Sequence, residues 1–187
     1  MTRALTDYVQ VFDGTLTPQR CQALIDRFEA SSTQHEATPV ERAFRFTELN
    51  VSQHWPEVES ETFAAMMTCI RRYWEMLEVG PFWPQTVDAE KLRLKCYRLG
   101  GEDRFPPHVD VMTAAESRRF LTAILYLNDP GGGETVFPGL DLTVTPAPGR
   151  MLVFPPLWLF PHAGLPPRDR SKYILHRYLW YPASGQK

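Results

Sequence analysis

Cysteine is scarce in this 187-residue chain, with only Cys21, Cys69 and Cys96. They lie far apart, are odd in number, and form neither a CxxC pair nor a zinc spacing. That excludes a disulfide scaffold and a thiolate zinc site, and it predicts buried, reduced thiols in a reducing compartment. No run of 18 apolar residues occurs, so no membrane-spanning helix is expected. The opening MTRALTDYVQVF lacks the unbroken apolar stretch of a signal peptide. A cytoplasmic protein is the expectation. No cluster of Lys or Arg stands out, and the formal net charge is −2, which gives a nucleic-acid role little support. Internal repeats and low-complexity linkers are also missing. The oligomeric state is not legible.

What is present is enough apolar material for a core, with 43% hydrophobic and 12% aromatic residues. One domain over 1–187 is expected, with helical support over about 1–88 and a β core over about 89–182. Tyr8 to Phe12 reads as a short strand. Thr17 and Pro18 sit where an N-cap and a first helical residue belong, and Cys21, Leu24, Ile25 and Phe28 follow at helical spacing. Residues 30–41 read as a polar loop, and 43–51 as extended. A second helix is predicted over about 57–77, burying Phe63, Met66, Met67, Ile70 and Trp74. Beyond Glu90 short strands alternate with Gly and Pro, at 91–99, 106–112, 120–127, 134–137, 141–145, 151–155 and 172–181. A mainly β sandwich or barrel, buttressed by helices on one side, follows.

Pro107-His108-Val109-Asp110 carries the first chemical signal. Residues two apart on a strand point the same way, so an imidazole and a carboxylate can converge. His162, after the apolar run Met151 to Phe154 and a Pro-rich loop, is the best third donor. Two histidines and one carboxylate form the facial triad that leaves metal positions open and marks non-haem Fe(II) oxygenases. Spacing alone leaves ordinary loop histidines as an equal reading. His35 and His54 read as surface residues.

Lys172 opens the last strand, ten residues after His162. It is the cation expected to meet a buried carboxylate, whereas Arg168 and Arg170 sit in a polar turn. Alternation puts Ile174, His176 and Tyr178 on the Lys172 face. His176 either looks into the same cavity or is a satisfied structural histidine.

From Tyr97 to Trp180 the chain resembles the prolyl 4-hydroxylase-like branch of the 2-oxoglutarate/Fe(II) dioxygenases. The matching pieces are Tyr97 to Gly100, His108-Val-Asp110, Leu125 to Asn128, Gly132 to Pro138, Gly149 to Phe154, His162 to Gly164, and Lys172. The resemblance implies a double-stranded β-helix (jelly-roll) core with His108, Asp110 and His162 as iron ligands. It implies Lys172 as partner of the distal 2-oxoglutarate carboxylate, with Tyr97, Tyr126 and Thr135 adding hydroxyls to that pocket. It further implies Fe(II), 2-oxoglutarate and O₂ as cofactors, succinate and CO₂ as by-products, and hydroxylation of an unactivated C–H bond, a prolyl residue being one such substrate. Three departures stand out: a longer stretch between Tyr97 and His108, Arg170 where Gly is common, and Tyr178 where Trp is frequent. The substrate, small molecule or peptide, is not legible. Loops near 35–55, 111–119 and 155–161 are expected to frame the mouth, with Trp158 a candidate substrate contact. A non-catalytic binder on the same fold and a zinc hydrolase are the rival classes.

Overall fold

The computed structural model describes residues 2–37, 45–100 and 105–183. Short β1 (Gln10–Phe12) leads into α1 (Pro18–Ala30). Thr17 caps α1 by accepting from the Arg20 N–H at 3.2 Å, and Pro18 takes the first turn, as expected. Next come β2 (Glu36–Ala37), β3 (Thr47–Asn50), the one-turn α2 (Val51–His54) and the long α3 (Pro56–Met76). The strand-rich part contains β4 (Asp88–Ala89), β5 (Arg93–Tyr97), β6 (Phe105–His108), β7 (Arg119–Tyr126), β8 (Thr135–Phe137) and β9 (Leu142–Val144). It ends with β10 (Met151–Phe154), β11 (His162–Gly164) and β12 (Lys172–Trp180).

Among the described residues these strands form two antiparallel sheets. The larger runs β1-β10-β7-β12-β5-β3-β2, with β4 added beside β12; the smaller runs β6-β11-β8-β9. The predicted mainly β class and jelly-roll core are therefore present. The period of two along each strand of the large sheet divides two cores. Leu94 and Cys96 of β5, Leu121, Ala123 and Leu125 of β7, Met151 and Val153 of β10, and Leu175 and Leu179 of β12 pack with α1 and α3. Tyr97, Ile124, Tyr126, Leu152, Phe154 and Ile174 face the small sheet instead.

The second helix is where the sequence reading slips. Val58, Thr62, Met66, Cys69, Ile70 and Tyr73 are buried, while Phe63, Met67 and Trp74 are only partly so. Two polar contacts turn the helix to this face. The Tyr73 hydroxyl donates to the Tyr8 carbonyl at 3.0 Å, and the buried Arg177 of β12 reaches Glu59. Arg177 also lies 5.0 Å over the Phe63 ring, which gives that aromatic a polar task at the core edge. The extended call over 43–51 is met from Thr47 to Asn50; positions 43 and 44 lie outside the described residues.

The amino-terminal segment is tied to the β core at one glycine. Gly149 has φ +76°, its carbonyl accepts from the Thr15 N–H at 2.9 Å, and an added Cβ would stand 2.1 Å from the Leu16 carbonyl oxygen. Gly149→Ala should therefore destabilise by at least the ~1–3 kcal/mol of a residue forced into a rare backbone region. Urea unfolding checks this; a change under about 0.5 kcal/mol, the usual surface range, would show that the junction is not under this constraint.

Candidate metal and cosubstrate site

His108 ends β6 and His162 opens β11, and these neighbours pair in register, so their rings meet with centroids 4.3 Å apart. Asp110 lies two residues beyond His108. Donor atoms of all three side chains fall within 4.8 Å of one another, a grouping able to hold a metal ion. Sequence reasoning named all three, and the fold brings them together.

The orientation of each ring has a local cause. His108 Nδ1 is 2.9 Å from the Pro106 carbonyl, and His162 Nδ1 is 3.1 Å from the Phe160 carbonyl. A carbonyl only accepts, so Nδ1 donates and the Nε2 lone pair of a neutral ring is left for the centre. The two Nε2 atoms point at Asp110, at 3.3 Å and 3.9 Å. Such outward hydrogen bonds are the usual device for aiming metal-binding imidazoles. Burial pushes His162 below the usual histidine range, against the pull of Asp110, which favours the neutral, ligating form.

Asp110 is 6% exposed and held on both oxygens. Thr122 of β7 donates to Oδ2 at 2.8 Å, and Tyr178 of β12 donates to Oδ1 at 2.8 Å. Burial raises its pKa, but the close approach of His108 and the facing His162 and His176 rings outweigh it, keeping the carboxyl well below its usual range. Burial and the Asp110 charge push Tyr178 the other way, so its hydroxyl keeps the proton that it donates. Tyr178, a departure from the common Trp, thus has a defined place beside the carboxylate.

Lys172 is 4% exposed, and its ammonium donates to the Gly133 carbonyl at 2.6 Å. It lies 5.4 Å over the Tyr97 ring and 5.5 Å over the Tyr126 ring. Lys172 and Tyr97 pair across β12 and β5. Two glycines make room for it. A Cβ at Gly164 would stand 3.3 Å from Phe105 Cβ and 3.8 Å from Lys172 Nζ, and one at Gly133 would stand 3.0 Å from Lys172 Cδ. Thr135 lines the same inner pocket, together with Tyr97, Asp110, His162, Lys172 and His176. The Tyr126 hydroxyl is fully buried and bonded to Thr135 Oγ1 at 2.7 Å, so it meets the pocket through Thr135.

Arg168 bonds Gly131 and Glu134 on the exposed turn, which fits its solvated reading. His35 is not a simple surface residue, because its ring stacks on Phe28 at 4.0 Å and bonds the Phe28 carbonyl. The outer cleft, about 560 Å³, is lined by Glu36, Phe46 and Glu48 from the first predicted loop and by Met112, Glu116 and Arg119 from the second. None of its lining comes from 155–161 among the described residues. Trp158 is 74% exposed, and the anchor of that loop is the buried Phe160. Lys95, also in the cleft wall, was missed because a lysine inside a strand reads as solvated. Its one available signal was alternation, which places it on the face of Tyr97.

Burial, only partly offset by Glu134, pushes the Lys172 ammonium down to about 8 from its usual 10.5. The folded chain then binds fewer protons than the unfolded chain between these values, so stability rises with pH across that window. Urea unfolding from pH 7 to 10.5 should show this rise, and Lys172→Met should remove it. An identical slope in parent and variant would contradict the buried-ammonium assignment.

Residues 92–180 match the family model described as the 2OG-Fe(II) oxygenase superfamily. No curated protein matches the chain. Among solved structures it is similar to the viral collagen prolyl hydroxylase from Paramecium Bursaria Chlorella virus-1, in a 2OG complex, at 22% identity over 92% of this chain and 95% of that one, TM-score 0.67. A Pseudomonas putida prolyl-4-hydroxylase is similar at 19% identity over 94% of each chain, TM-score 0.67. A Trichoplax adhaerens prolyl hydroxylase, in complex with a hypoxia inducible factor peptide fragment, is similar at 15% identity over 94% of this chain and 84% of that one, TM-score 0.68. At these identities the structures speak for the fold, and the family match speaks for the chemistry. The segment that carries the site, residues 92–180, thus matches the 2OG-Fe(II) oxygenase superfamily, and the chain is an oxygenase that works with Fe(II), 2-oxoglutarate and O₂.

Proposed function

We propose that His108, Asp110 and His162 hold Fe(II), that Lys172 anchors 2-oxoglutarate, and that the enzyme hydroxylates a prolyl residue of a peptide. The observation that carries this reading is the pairing of a buried two-histidine, one-carboxylate cluster with a buried lysine on the neighbouring sheet. A zinc hydrolase has no need of that lysine. When bound, the iron with 2-oxoglutarate and O₂ supplies the oxidising power for C–H hydroxylation, the cosubstrate leaving as succinate and CO₂. The peptide substrate is supported by the open cleft beside the cluster and by the peptide complex of the Trichoplax protein. One catalytic unit over 1–187 and a cytoplasmic site of action complete the proposal. No helix among the described residues is long and apolar enough to cross a membrane, and the three cysteines are buried free thiols.

The protein groups bind, orient and exclude water. Thr122 and Tyr178 each donate to one oxygen of the Asp110 carboxylate and so hold it against rotation. The Phe154 and Phe137 rings pack against His162, with centroids 4.7 Å and 5.6 Å away, and keep that side dry. The inner pocket holds about 30 Å³, room for little more than a water. A five-carbon diacid therefore requires Lys172 to exchange the Gly133 carbonyl for the distal carboxylate, with its neighbours giving way. Tyr97 bounds that position, and the Tyr126–Thr135 pair offers a hydroxyl beside it.

His108→Ala, Asp110→Ala and His162→Ala should each sharply weaken Fe(II) binding and abolish succinate formation while the chain stays folded. Lys172→Ala should keep Fe(II) affinity and lose roughly 2–5 kcal/mol of 2-oxoglutarate binding, as expected when one side of a buried charge pair is truncated. Anaerobic titrations measure both constants. Parent-like Fe(II) binding in all three variants would refute the metal assignment, and unchanged 2-oxoglutarate affinity would refute the Lys172 role. Mass spectrometry of prolyl peptides incubated with the loaded enzyme tests the substrate; succinate without hydroxyproline would refute it.

A further inference from the structure

The cations around the outer cleft are not equivalent. Arg93 pairs with Glu36 at 3.4 Å and Glu48 at 3.6 Å. Arg119 pairs with Glu90 at 3.2 Å, approaches Glu116 at 3.9 Å, and donates to the Asp110 carbonyl at 3.0 Å. Lys91 is exposed to water. Lys95 differs from all of these. Among the described residues its ammonium makes no hydrogen bond or ion pair, and what it faces is the Phe46 ring at 4.6 Å and the Phe105 ring at 5.8 Å. Aromatic faces recompense a desolvated ammonium only in part. Burial accordingly lowers the Lys95 pKa, while the more distant Glu48, Asp110 and Glu90 charges oppose the shift.

Its place in the fold is equally specific. Lys95 stands on β5 two residues from Tyr97, on the same face, so it lies roughly 7 Å along the strand from the Tyr97–Lys172 pair. Four residues line both the inner pocket and the outer cleft: Lys95, Phe105, Asp110 and His176. Lys172 lines the inner pocket and is not part of the cleft wall. Lys95 is thus a half-buried cation at the throat, lining the same pockets as Asp110 and open to whatever fills the cleft. The cleft carboxylates Glu36, Glu48, Glu90 and Glu116 already face Arg93 or Arg119, which leaves Lys95 for an incoming anion.

We infer that Lys95 anchors a carboxylate of the substrate, so that the enzyme selects an acidic substrate whose carboxylate lies close to the carbon oxidised. This rests on the oxygenase reading of the adjoining cluster. The carboxylate has two sources, a chain-terminal carboxyl group or an acidic side chain beside the reacting residue. A lysine that only balances Asp110 and Glu48 would show no such selectivity.

The test uses the full chain, loaded anaerobically with Fe(II) and 2-oxoglutarate, and two probe pairs in calorimetric titrations. One pair is N-acetyl-L-proline and its amide; the other is acetyl-Asp-Pro-amide and acetyl-Asn-Pro-amide. In at least one pair the acid should bind roughly 10- to 100-fold more tightly, the range of one hydrogen bond to a charged group. The pair that shows the preference identifies the source. Lys95→Met should erase the preference with 2-oxoglutarate affinity unchanged, and Lys95→Arg should restore part of it. If Lys95→Met does not fold, Lys95→Gln and the parent acid–amide comparison carry the test. Equal or unmeasurable binding of acid and neutral probe in both pairs overturns the inference. So does a preference that survives in Lys95→Met, or a fall in 2-oxoglutarate affinity that places Lys95 on the cosubstrate. Acid preference without hydroxyproline formation would refute only the prolyl reading.

Discussion

A carboxylate buried between two sheets must be matched on all sides or it will not stay ionised, and Asp110 sets that condition for the site. Its partners come from separate elements: Thr122 from β7, Tyr178 from β12, His108 from β6 and His162 from β11. Each element has to hold its register, because a one-residue slip turns its polar group into the helix-packed core or into water. The helices enter the site only indirectly. They cover the opposite face of the large sheet, where Leu175 and Leu179 alternate with His176 and Tyr178. Arg177 continues that division by turning to Glu59 of α3.

β12 works as a ruler. Lys172, Ile174, His176 and Tyr178 share one face, and six residues of strand span roughly 20 Å. One end of that row carries the buried ammonium and the other carries the hydroxyl on Asp110. The separation of the Lys172 ammonium from the His-Asp-His cluster is thereby set by backbone geometry and does not depend on a flexible loop. Lys95 uses the same logic on β5, one alternation step from Tyr97. The electrostatics follow the layout: cations with acidic partners stand at the cleft rim, and the two lysines inside face aromatic rings and a carbonyl.

Much of this was legible in the sequence, for reasons that differ by element. The α1 start was readable because Thr17-Pro18 and a clean apolar stripe agree. The alternation after Lys172 put His176 on the right face but left open whether it meets the cavity or plays a structural part; it lines the cavity because β12 is long and regular. The face of α3 was misread because apolar residues occur around most of its circumference, and the choice was made by Tyr73 and Arg177 contacts across long sequence separations. β11 was invisible because three residues between prolines and glycine carry no periodicity, although its pairing with β6 brings the two histidines together. Trp158 drew attention as a large aromatic in a loop, yet Phe160 is the residue that the core holds. Lys95 escaped notice because a lone strand lysine says nothing about the rings that will surround it.

The most direct test of the central claim is an anaerobic titration of the purified chain with Fe(II), then with 2-oxoglutarate, followed by absorption spectroscopy. A cluster aimed by Pro106 and Phe160, with Lys172 on the facing sheet, predicts one Fe(II) per chain and a metal-to-ligand absorption band that appears only when both components are present. Iron binding without the band, or a band that forms on a chain lacking stoichiometric iron, would contradict a site in which the triad and the lysine act on one cosubstrate.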